Sequence, residues 1–366
     1  MAFILPPYRP PDFSLPSLQN APVTVFKKAR RDGVVPDNYH ATSIFPEYFH
    51  VKKGTWHLVR ESRMDCAVVK EPDDALTVKE FRNVKWGDAV ACGRGENGED
   101  GIFLHTRPFD FIEEAGEKFA FRSRTTRETS FSFDYDELYD LLKFERSRGF
   151  ILWVLGPAVV FDRDARNAFA SLIRAGYVHG LHAGNALATH DAEAALFSTG
   201  LGQDIYTKHT VHLGHYHHLD AINRIRGIGS IKKSITKGVI RDGVMHAAIR
   251  KNIPCVLAGS IRDDGPLPEV IGDVYQAQDR MRTLTRRATT VIALATQLHA
   301  IAIGNMVPSY RVLGKNRIRP VYFYTVDMSE FTITKLANRG SLTARSILTN
   351  VQDFVVTVER GLKKKR

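Results

Sequence analysis

Short apolar segments alternate with longer amphipathic ones through the second half of the chain. The amphipathic segments have helical spacing, as in DRDARNAFASLIRAG, where Phe169, Leu172 and Ile173 share one side. The apolar segments read as buried strands: GFILWVLG, GYVHGLHAG, IPCVLAGS, TTVIALAT, PVYFYTVD and ARSILTN. Strands that alternate with helices form a parallel sheet with helices on both faces. The pattern predicts an α/β fold with a doubly wound, mainly parallel sheet.

The first third of the chain has a different pattern. The segments WHLVRE, DCAVVKE, LTVKEF and DAVACG carry β-formers bounded by Gly, Asp or Pro, which predicts a smaller β-rich N-terminal domain. A polar stretch at Pro108–Arg127 is expected to lead into an amphipathic helix at Phe133–Arg148. Four parts are therefore predicted: an irregular N-terminal arm over 1–22, the β-rich domain over 23–127, the α/β domain over 128–362 and a basic tail over 363–366.

Composition narrows the class of protein. With 43% hydrophobic and 25% charged residues, the chain is an ordinary globular one. Outside the tail Lys363–Arg366, we read the net charge of +11 as spread along the chain, so no nucleic-acid partner is expected. Cys66, Cys92 and Cys255 form no CxxC pair, which favours a reduced, cytoplasmic protein. The apolar run Val291–Ile303 is too short to span a bilayer, so no membrane partner is expected.

The residues that follow the predicted strands are the first candidates for a binding site. In an open parallel sheet, ligands bind beyond the carboxyl ends of the strands. Glycines there let the backbone approach a ligand, and helix N-termini offer N–H groups to phosphate. The usual GxGxxG fingerprint is absent, and the nearest run, GIGS at 227–230, lies between two predicted helices. The candidates for binding a dinucleotide are Gly156, Pro157, Gly184, Asn185, Ala186, Gly259, Ser260 and Asp327.

Two of these features have alternative interpretations. Asp327 could bind both ribose hydroxyls of NAD, or it could cap the helix that follows. In the loop SIRDDGPLPE, Arg262 could hold a substrate carboxylate, and Asp263 or Asp264 could bind an ammonium group or act as a general base. Alternatively, the two acids could satisfy backbone N–H groups of a local turn.

Several long segments resemble a known family. AGNALATHDAEAALF, GHYHHLDAINRIRGIGSI, GVMHAAIRKNIPCVLAGSIRDDGPLPEVIGDV and LHAIAIGNMVP resemble the C-terminal region of the LOR/SDH bifunctional enzyme family, which includes the archaeal-type ornithine cyclodeaminases. DGVVPDNYHATSIFPEYFHVKKGTWHLVRESRMDCAVV is similar to the preceding domain of that family, so the resemblance runs from about Arg31 to Phe354. It implies a deoxyhypusine synthase-like NAD-binding domain, a tightly held NAD, an amino-acid substrate and a homo-oligomer.

The resemblance also implies a reaction, the conversion of L-ornithine or a related diamino acid to L-proline or its cyclic analogue and ammonia. Hydride passes from the α-carbon to NAD, the δ-amine attacks the resulting imine, ammonia leaves and the hydride returns. Arg262, Asp263 and Asp264 would clamp the carboxylate and move protons. An opine- or saccharopine-type dehydrogenase that releases NADH is the alternative enzyme, and an NAD-sensing protein without catalysis is a third interpretation.

Three further candidates follow from the same resemblance. His299 and Asn305 begin and end the apolar stretch in LHAIAIGNM, which could wall the nicotinamide pocket. Cys66 could face the site from the N-terminal domain, or it could be a small buried residue of a strand.

The histidine-rich segment TKHTVHLGHYHHLD permits two interpretations. Histidines at intervals of three suggest a metal site, but that spacing drifts around a helix and Gly214 interrupts it. The family chemistry needs no metal, and none is expected. We predict a loop over Thr207–Gly214 and a helix from about His217 to Arg226. This would place His217 and His218 at a helix N-terminus near the ligand edge of the sheet, as part of the NAD pocket. His215 is an alternative candidate at the same helix N-terminus, and His209 and His212 are expected to face solvent.

Overall fold

The N-terminal part of the chain is built from antiparallel strands. The computed structural model describes residues 3–110, 132–263, 265–314, 317–329 and 342–364. A short helix, α1 (Pro16–Gln19), lies in the arm for which the sequence predicted irregular structure. The strands are β1 (Val25–Lys28), β2 (Glu47–Lys52), β3 (Thr55–Leu58), β4 (Ala67–Lys70), β5 (Leu76–Lys79), β6 (Ala89–Cys92) and β7 (Ile102–Leu104). They form one sheet in the order β1-β6-β4-β5 and another in the order β3-β2-β7.

Strands and helices alternate in the C-terminal part, as predicted. The elements are α2 (Ser132–Arg148), β8 (Ile151–Leu155), α3 (Arg163–Arg174), β9 (Gly180–Gly184), α4 (Asn185–Phe197), β10 (Thr199–Gly200), β11 (Gln203–Asp204), α5 (His217–Ile228), α6 (Ile231–Thr236), α7 (Val244–Arg250), β12 (Cys255–Ala258), α8 (Val274–Thr285), β13 (Thr290–Leu294), α9 (Gln297–Met306), β14 (Tyr310–Leu313), β15 (Arg317–Pro320), β16 (Tyr322–Asp327), β17 (Thr343–Leu348) and α10 (Val351–Lys363).

The central sheet has six parallel strands in the order β12-β9-β8-β13-β16-β17. Counted along the chain, this is the order third, second, first, fourth, fifth and sixth, which is the order of dinucleotide-binding folds. The strand order reverses between β8 and β13, and in such sheets the ligand crevice lies there, at the carboxyl ends of the strands. The predicted fold class is therefore confirmed: a doubly wound parallel sheet, preceded by a smaller β-rich region.

The alternating side chains of β8 explain why helices cover both faces of this sheet. Trp153 and its neighbours at every second position pack against the face covered by α2, α3, α4, α7 and α10. Leu152 and Val154 point the other way, toward α8 and α9. No helix among the described residues combines the length and the apolar character needed to cross a membrane.

The N-terminal sheets contact the outer side of α8 and the hairpin β14–β15. Arg282 of α8 pairs with Glu80 at 2.7 Å, and Tyr310 of β14 donates a hydrogen bond to the backbone oxygen of Val59. Burial alone would raise the pKa of Glu80, but the charges of Arg63 and Arg282 outweigh it and lower that pKa to about 2. The sequence analysis did not predict this hairpin, which ties the two parts of the chain together.

Candidate active site

Just beyond the ends of β8 and β13, the backbones of the two strands are in direct contact. The Gly156 N–H donates a hydrogen bond to the Leu294 oxygen over 2.8 Å. A Cβ placed on Gly156 would lie 1.9 Å from the backbone oxygen of Ala295, so only glycine fits. Pro157 then begins a 3₁₀ turn that ends at Val160. The structure thus places Gly156 and Pro157 at the reversal of strand order, where the sequence analysis expected a ligand.

Two helices begin beside this crevice without a side-chain cap. α4 starts directly after Gly184, α9 starts after Thr296, and neither has a capping side-chain hydrogen bond. Uncapped first-turn N–H groups attract anions. Four other helices in this part of the chain are capped by side chains: α3 by Asp162, α6 by Ser230, α8 by Asp273 and α10 by Asn350. The first turn of α7 donates instead to Asp191, and α5 has no side-chain cap. The helix termini that are free to bind phosphate therefore include the two that lie after β9 and β13.

Asn185 ties the first turn of α4 to the loop after β12. Its side-chain oxygen accepts a hydrogen bond from the Leu267 N–H at 3.0 Å, and its amide nitrogen donates to Oδ1 of Asp263 over 3.4 Å. The other oxygen of Asp263 accepts from the Ser260 N–H at 2.8 Å. Asp263 therefore has the local turn contact that the sequence analysis offered as an alternative, and it also contacts the first residue of α4. Ala186 follows, half-buried, in the same turn of α4.

His299 lies over Gly184 in the first turn of α9. A Cβ on Gly184 would lie 3.1 Å from Cε1 of His299, and the His299 Nδ1 atom is 3.3 Å from the Thr296 hydroxyl. Burial lowers the pKa of His299, against the opposing charge of Asp263. The imidazole is therefore neutral at pH 7 and can accept a proton or a hydrogen bond. Thr296 was not among the sequence candidates, although it lies only two residues after the end of β13.

A second histidine, His182, lies on β9 two residues before Gly184 and is fully buried. Its Nε2 atom is 3.4 Å from the Thr285 hydroxyl, and Nδ1 has no hydrogen-bond partner among the described residues. Burial lowers its pKa to about 3. The sequence analysis read this residue only as part of a strand, but its position next to the glycine of the site could have identified it.

His182 makes stability depend on pH. The unfolded chain binds a proton at this histidine near pH 6.5, whereas the folded chain does not until about pH 3. Stability is therefore complete above pH 6.5 and falls with decreasing pH, by about 1.4 kcal/mol per unit from this group. His182→Gln, which cannot titrate, is expected to remove that slope. Urea unfolding of the parent protein and the variant at pH 6.5, 5.5 and 4.5 measures the free energy of unfolding as a function of pH. If that free energy fell equally with pH in both proteins, the loss could not be assigned to His182.

Other sequence candidates lie at or near the same edge. Arg262 is exposed and makes no ion pair among the described residues, and its N–H donates to the Ser260 hydroxyl. Gly259 uses its N–H in a bond to the Ile271 oxygen at 2.9 Å. Asp327 ends β16, next to β13, and its Oδ1 accepts from the Ser329 N–H at 2.8 Å. Asp264 lies outside the described residues, as does the chain from 330 to 341 that Asp327 was expected to cap.

Two candidates lie away from the group formed by Asn185, Asp263 and His299. Asn305 lies near the end of α9, about 9 Å along the helix axis from His299, because each helical residue adds about 1.5 Å. Cys66 is buried against its own loop, with its thiol donating to the Met64 oxygen, and burial raises the pKa of that thiol. Cys66 therefore fits the alternative of a small buried residue. Asn305 lies apart from His299, and its contact with the cofactor stays a prediction.

His217 and His218 also lie away from Asn185, Asp263 and His299. His217 stacks on Phe197 and bonds the Thr199 hydroxyl at 2.8 Å, while His218 packs against His190. Phe197 ends α4, about 18 Å along the helix axis from its first residue. The predicted helix start at His217 is confirmed, but it meets α4 between His190 and Phe197 and not at its first turn. His209 and His212 are exposed, as expected. Within the described ranges, no cluster of three His, Cys, Asp or Glu residues could hold a metal ion.

Comparisons with known proteins agree with the fold. Residues 138–358 match a family model described as arginine dihydrolase ArgZ-like, C-terminal, Rossmann fold. The ornithine cyclodeaminase of Methanocaldococcus jannaschii is 40% identical over 344 residues, which is 92% of this chain and 77% of that protein. A conserved LOR/SDH protein from Methanococcus maripaludis S2 has a crystal structure with a TM-score of 0.84 and 36% identity, covering 93% of this chain and 98% of that one.

A further similar structure is a ternary complex of AgrE with ornithine and NAD⁺. Its TM-score is 0.59 at 31% identity, and the match covers 95% of this chain and 46% of that chain. The sequence matches span nearly the whole of this chain at identities well above chance. The chain therefore belongs to the ArgZ-like family of enzymes that includes the archaeal ornithine cyclodeaminases.

Proposed function

We propose that this enzyme is an NAD-dependent cyclodeaminase that converts L-ornithine, or a related diamino acid, to L-proline, or its cyclic analogue, and ammonia. The observation that carries the proposal is the grouping of Asn185, Asp263 and His299 at the carboxyl ends of the parallel strands, beside two uncapped helix N-termini. The relatives named ornithine cyclodeaminase, and the AgrE complex that holds ornithine and NAD⁺, support the same choice.

The residues at the crevice fit NAD. The uncapped first turns of α4 and α9 can bind the pyrophosphate, and Gly156 and Gly184 leave room for it beside the strand ends. Asp327, half-buried at the end of the adjacent strand, can accept hydrogen bonds from ribose hydroxyls. When bound, NAD supplies a hydride acceptor that takes the α-hydrogen of the amino acid and returns it within the same turnover.

The enzyme's own side chains would handle the charges and protons of the substrate. Asp263, held by the Ser260 N–H and the Asn185 amide, can bind the α-ammonium group and take a proton from it. The neutral imidazole of His299 can accept a second proton or orient the substrate. The exposed guanidinium of Arg262, on the same loop as Asp263, can hold the substrate carboxylate.

Two measurements test the proposal. Mass spectrometry of small molecules released from the denatured, purified protein is expected to detect NAD. Incubation with L-ornithine is then expected to yield ammonia and proline in equal amounts, with no net rise in NADH absorbance. Accumulating NADH would indicate a dehydrogenase of the opine or saccharopine type instead. Absence of NAD, or of any ammonia from ornithine and related diamino acids, would contradict the proposal.

A further inference from the structure

A cavity of about 540 Å³ opens in the N-terminal sheet beside β1, the edge strand next to β6. Lys27, Lys28 and Arg30 line one side, and the segment 34–37 lines the other. This volume falls within the range of small-molecule sites. The cavity shares no lining residue with the crevice at the end of the parallel sheet, so its chemistry is separate from that of the candidate active site.

Positive charge is concentrated at this cavity. The sequence KKARR, residues 27–31, places four cationic side chains within five positions, and all four are exposed. Within the described part of the chain, none of the four has an ion-pair partner. The nearby carboxylate of Asp32 is already occupied by Lys85, and Asp37 is the acidic residue in the lining. The sequence analysis treated the positive charge as evenly spread, and this cluster shows that it is not.

An exposed tryptophan stands next to the same cluster. The side chain of Trp86 is 74% exposed, although tryptophan is usually largely buried. The backbone N–H of Trp86 donates to Oδ1 of Asp32 at 2.8 Å, and the backbone N–H of Gly87 donates to the Ala29 oxygen at 2.9 Å. The turn that carries Trp86 is therefore fixed against the strand end that carries the cations. An exposed indole beside unpaired cations can stack on an aromatic base while the cations bind phosphate.

We infer that this cavity, with the cations of residues 27–31 and Trp86, binds a nucleoside polyphosphate. The phosphates would contact Lys27, Lys28 and Arg30, and the base would stack on Trp86. A free nucleotide is favoured over single-stranded RNA because the cations occupy one cavity, whereas RNA requires a basic groove that follows its backbone over several nucleotides. The inference does not depend on the proposed function, because the site lies outside the NAD crevice.

Calorimetric titration of the full chain with ATP, in the presence of excess NAD, tests the inference. We expect one ATP to bind per chain, with an affinity that falls as salt rises. The triple variant Lys27→Ala/Lys28→Ala/Arg30→Ala is expected to bind ATP at least tenfold more weakly. Lys232→Ala/Lys233→Ala/Lys237→Ala removes the same charge from exposed positions in and just after α6, and it is expected to bind ATP as the parent protein does.

Substitutions of Trp86 separate stacking from charge. Trp86→Ala is expected to weaken ATP binding roughly tenfold, and Trp86→Phe is expected to restore most of it, because both rings offer a face for stacking. This pair also keeps the inference testable if the triple variant fails to fold. Failure to bind ATP at millimolar concentration, equal binding by the two triple variants, or a short single-stranded RNA that binds more tightly than ATP would each overturn the inference.

Discussion

Replacement of Asp263 by asparagine is expected to lower kcat for ammonia release by at least about 100-fold, with NAD still bound. General acid–base groups contribute roughly 10²–10⁴-fold to rates, and asparagine cannot take a proton. The amide can still accept from the Ser260 N–H, so the loop that reaches Asn185 should keep its shape. Steady-state assays with ornithine, together with mass spectrometry of retained NAD, measure the two quantities separately.

Asp220→Asn is the matched control for this substitution. Asp220 is exposed in the first turn of α5, and the same change of charge there is expected to leave kcat unchanged. If Asp263→Asn kept full kcat, the proton transfers would have to be assigned to another group. If the Asp263→Asn protein no longer retained NAD, the native Asp263 would instead serve to hold its loop against Asn185. The proposed chemical role of Asp263 would then be wrong.

The sequence was sufficient to predict the parallel sheet, and the reason is physical. Strands covered on both faces are apolar throughout, as in Ile151–Leu155, so they stand out from the amphipathic helices around them. The residues just after such strands lie at one edge of the sheet whatever the details of packing. Gly156, Gly184 and Asn185 were found in this way, and their positions follow from topology alone.

Contacts between elements could not be predicted in the same way. The start of α5 at His217 was recognisable from the sequence, but the sequence does not say which end of α4 that start would meet. Asn305 shows a related limit, because the sequence does not say how far α9 carries it from the strand ends. The partners of the site residues, such as Thr296 beside His299, depend on side-chain directions that only packing determines.

The short polar strands were also missed. β1 has mostly exposed side chains, and β14 and β15 read as a basic loop, so none has the apolar pattern of a buried strand. Their register is fixed by partner strands distant in sequence, for example Val25 opposite Cys92. The core of the fold was therefore easier to predict than its edge strands. Those edge strands line the N-terminal cavity, in the case of β1, and join the two parts of the chain, in the case of the hairpin β14–β15.

Replacement of Gly156 by alanine is expected to abolish stable NAD binding and to reduce the free energy of unfolding by about 1–3 kcal/mol. The added methyl group would lie 1.9 Å from the Ala295 oxygen, which belongs to rigid backbone and cannot rotate away. The ends of β8 and β13 would have to separate, and that movement would distort the point between α4 and α9 where the cofactor is expected to bind. Urea unfolding and mass spectrometry of retained NAD measure the two effects.

Gly272→Ala provides the comparison, because a Cβ there meets no atom within 4 Å and the backbone is not in the left-handed region. It is expected to be neutral in both measurements, which would exclude a general effect of replacing glycine in this half of the chain. A Gly156→Ala protein that unfolds as the parent does and retains NAD would show that the strand ends can separate without cost. A Gly156→Ala protein that is destabilised but retains NAD would place the cofactor away from the reversal of strand order, and the proposed site would then be wrong even if the reaction were right.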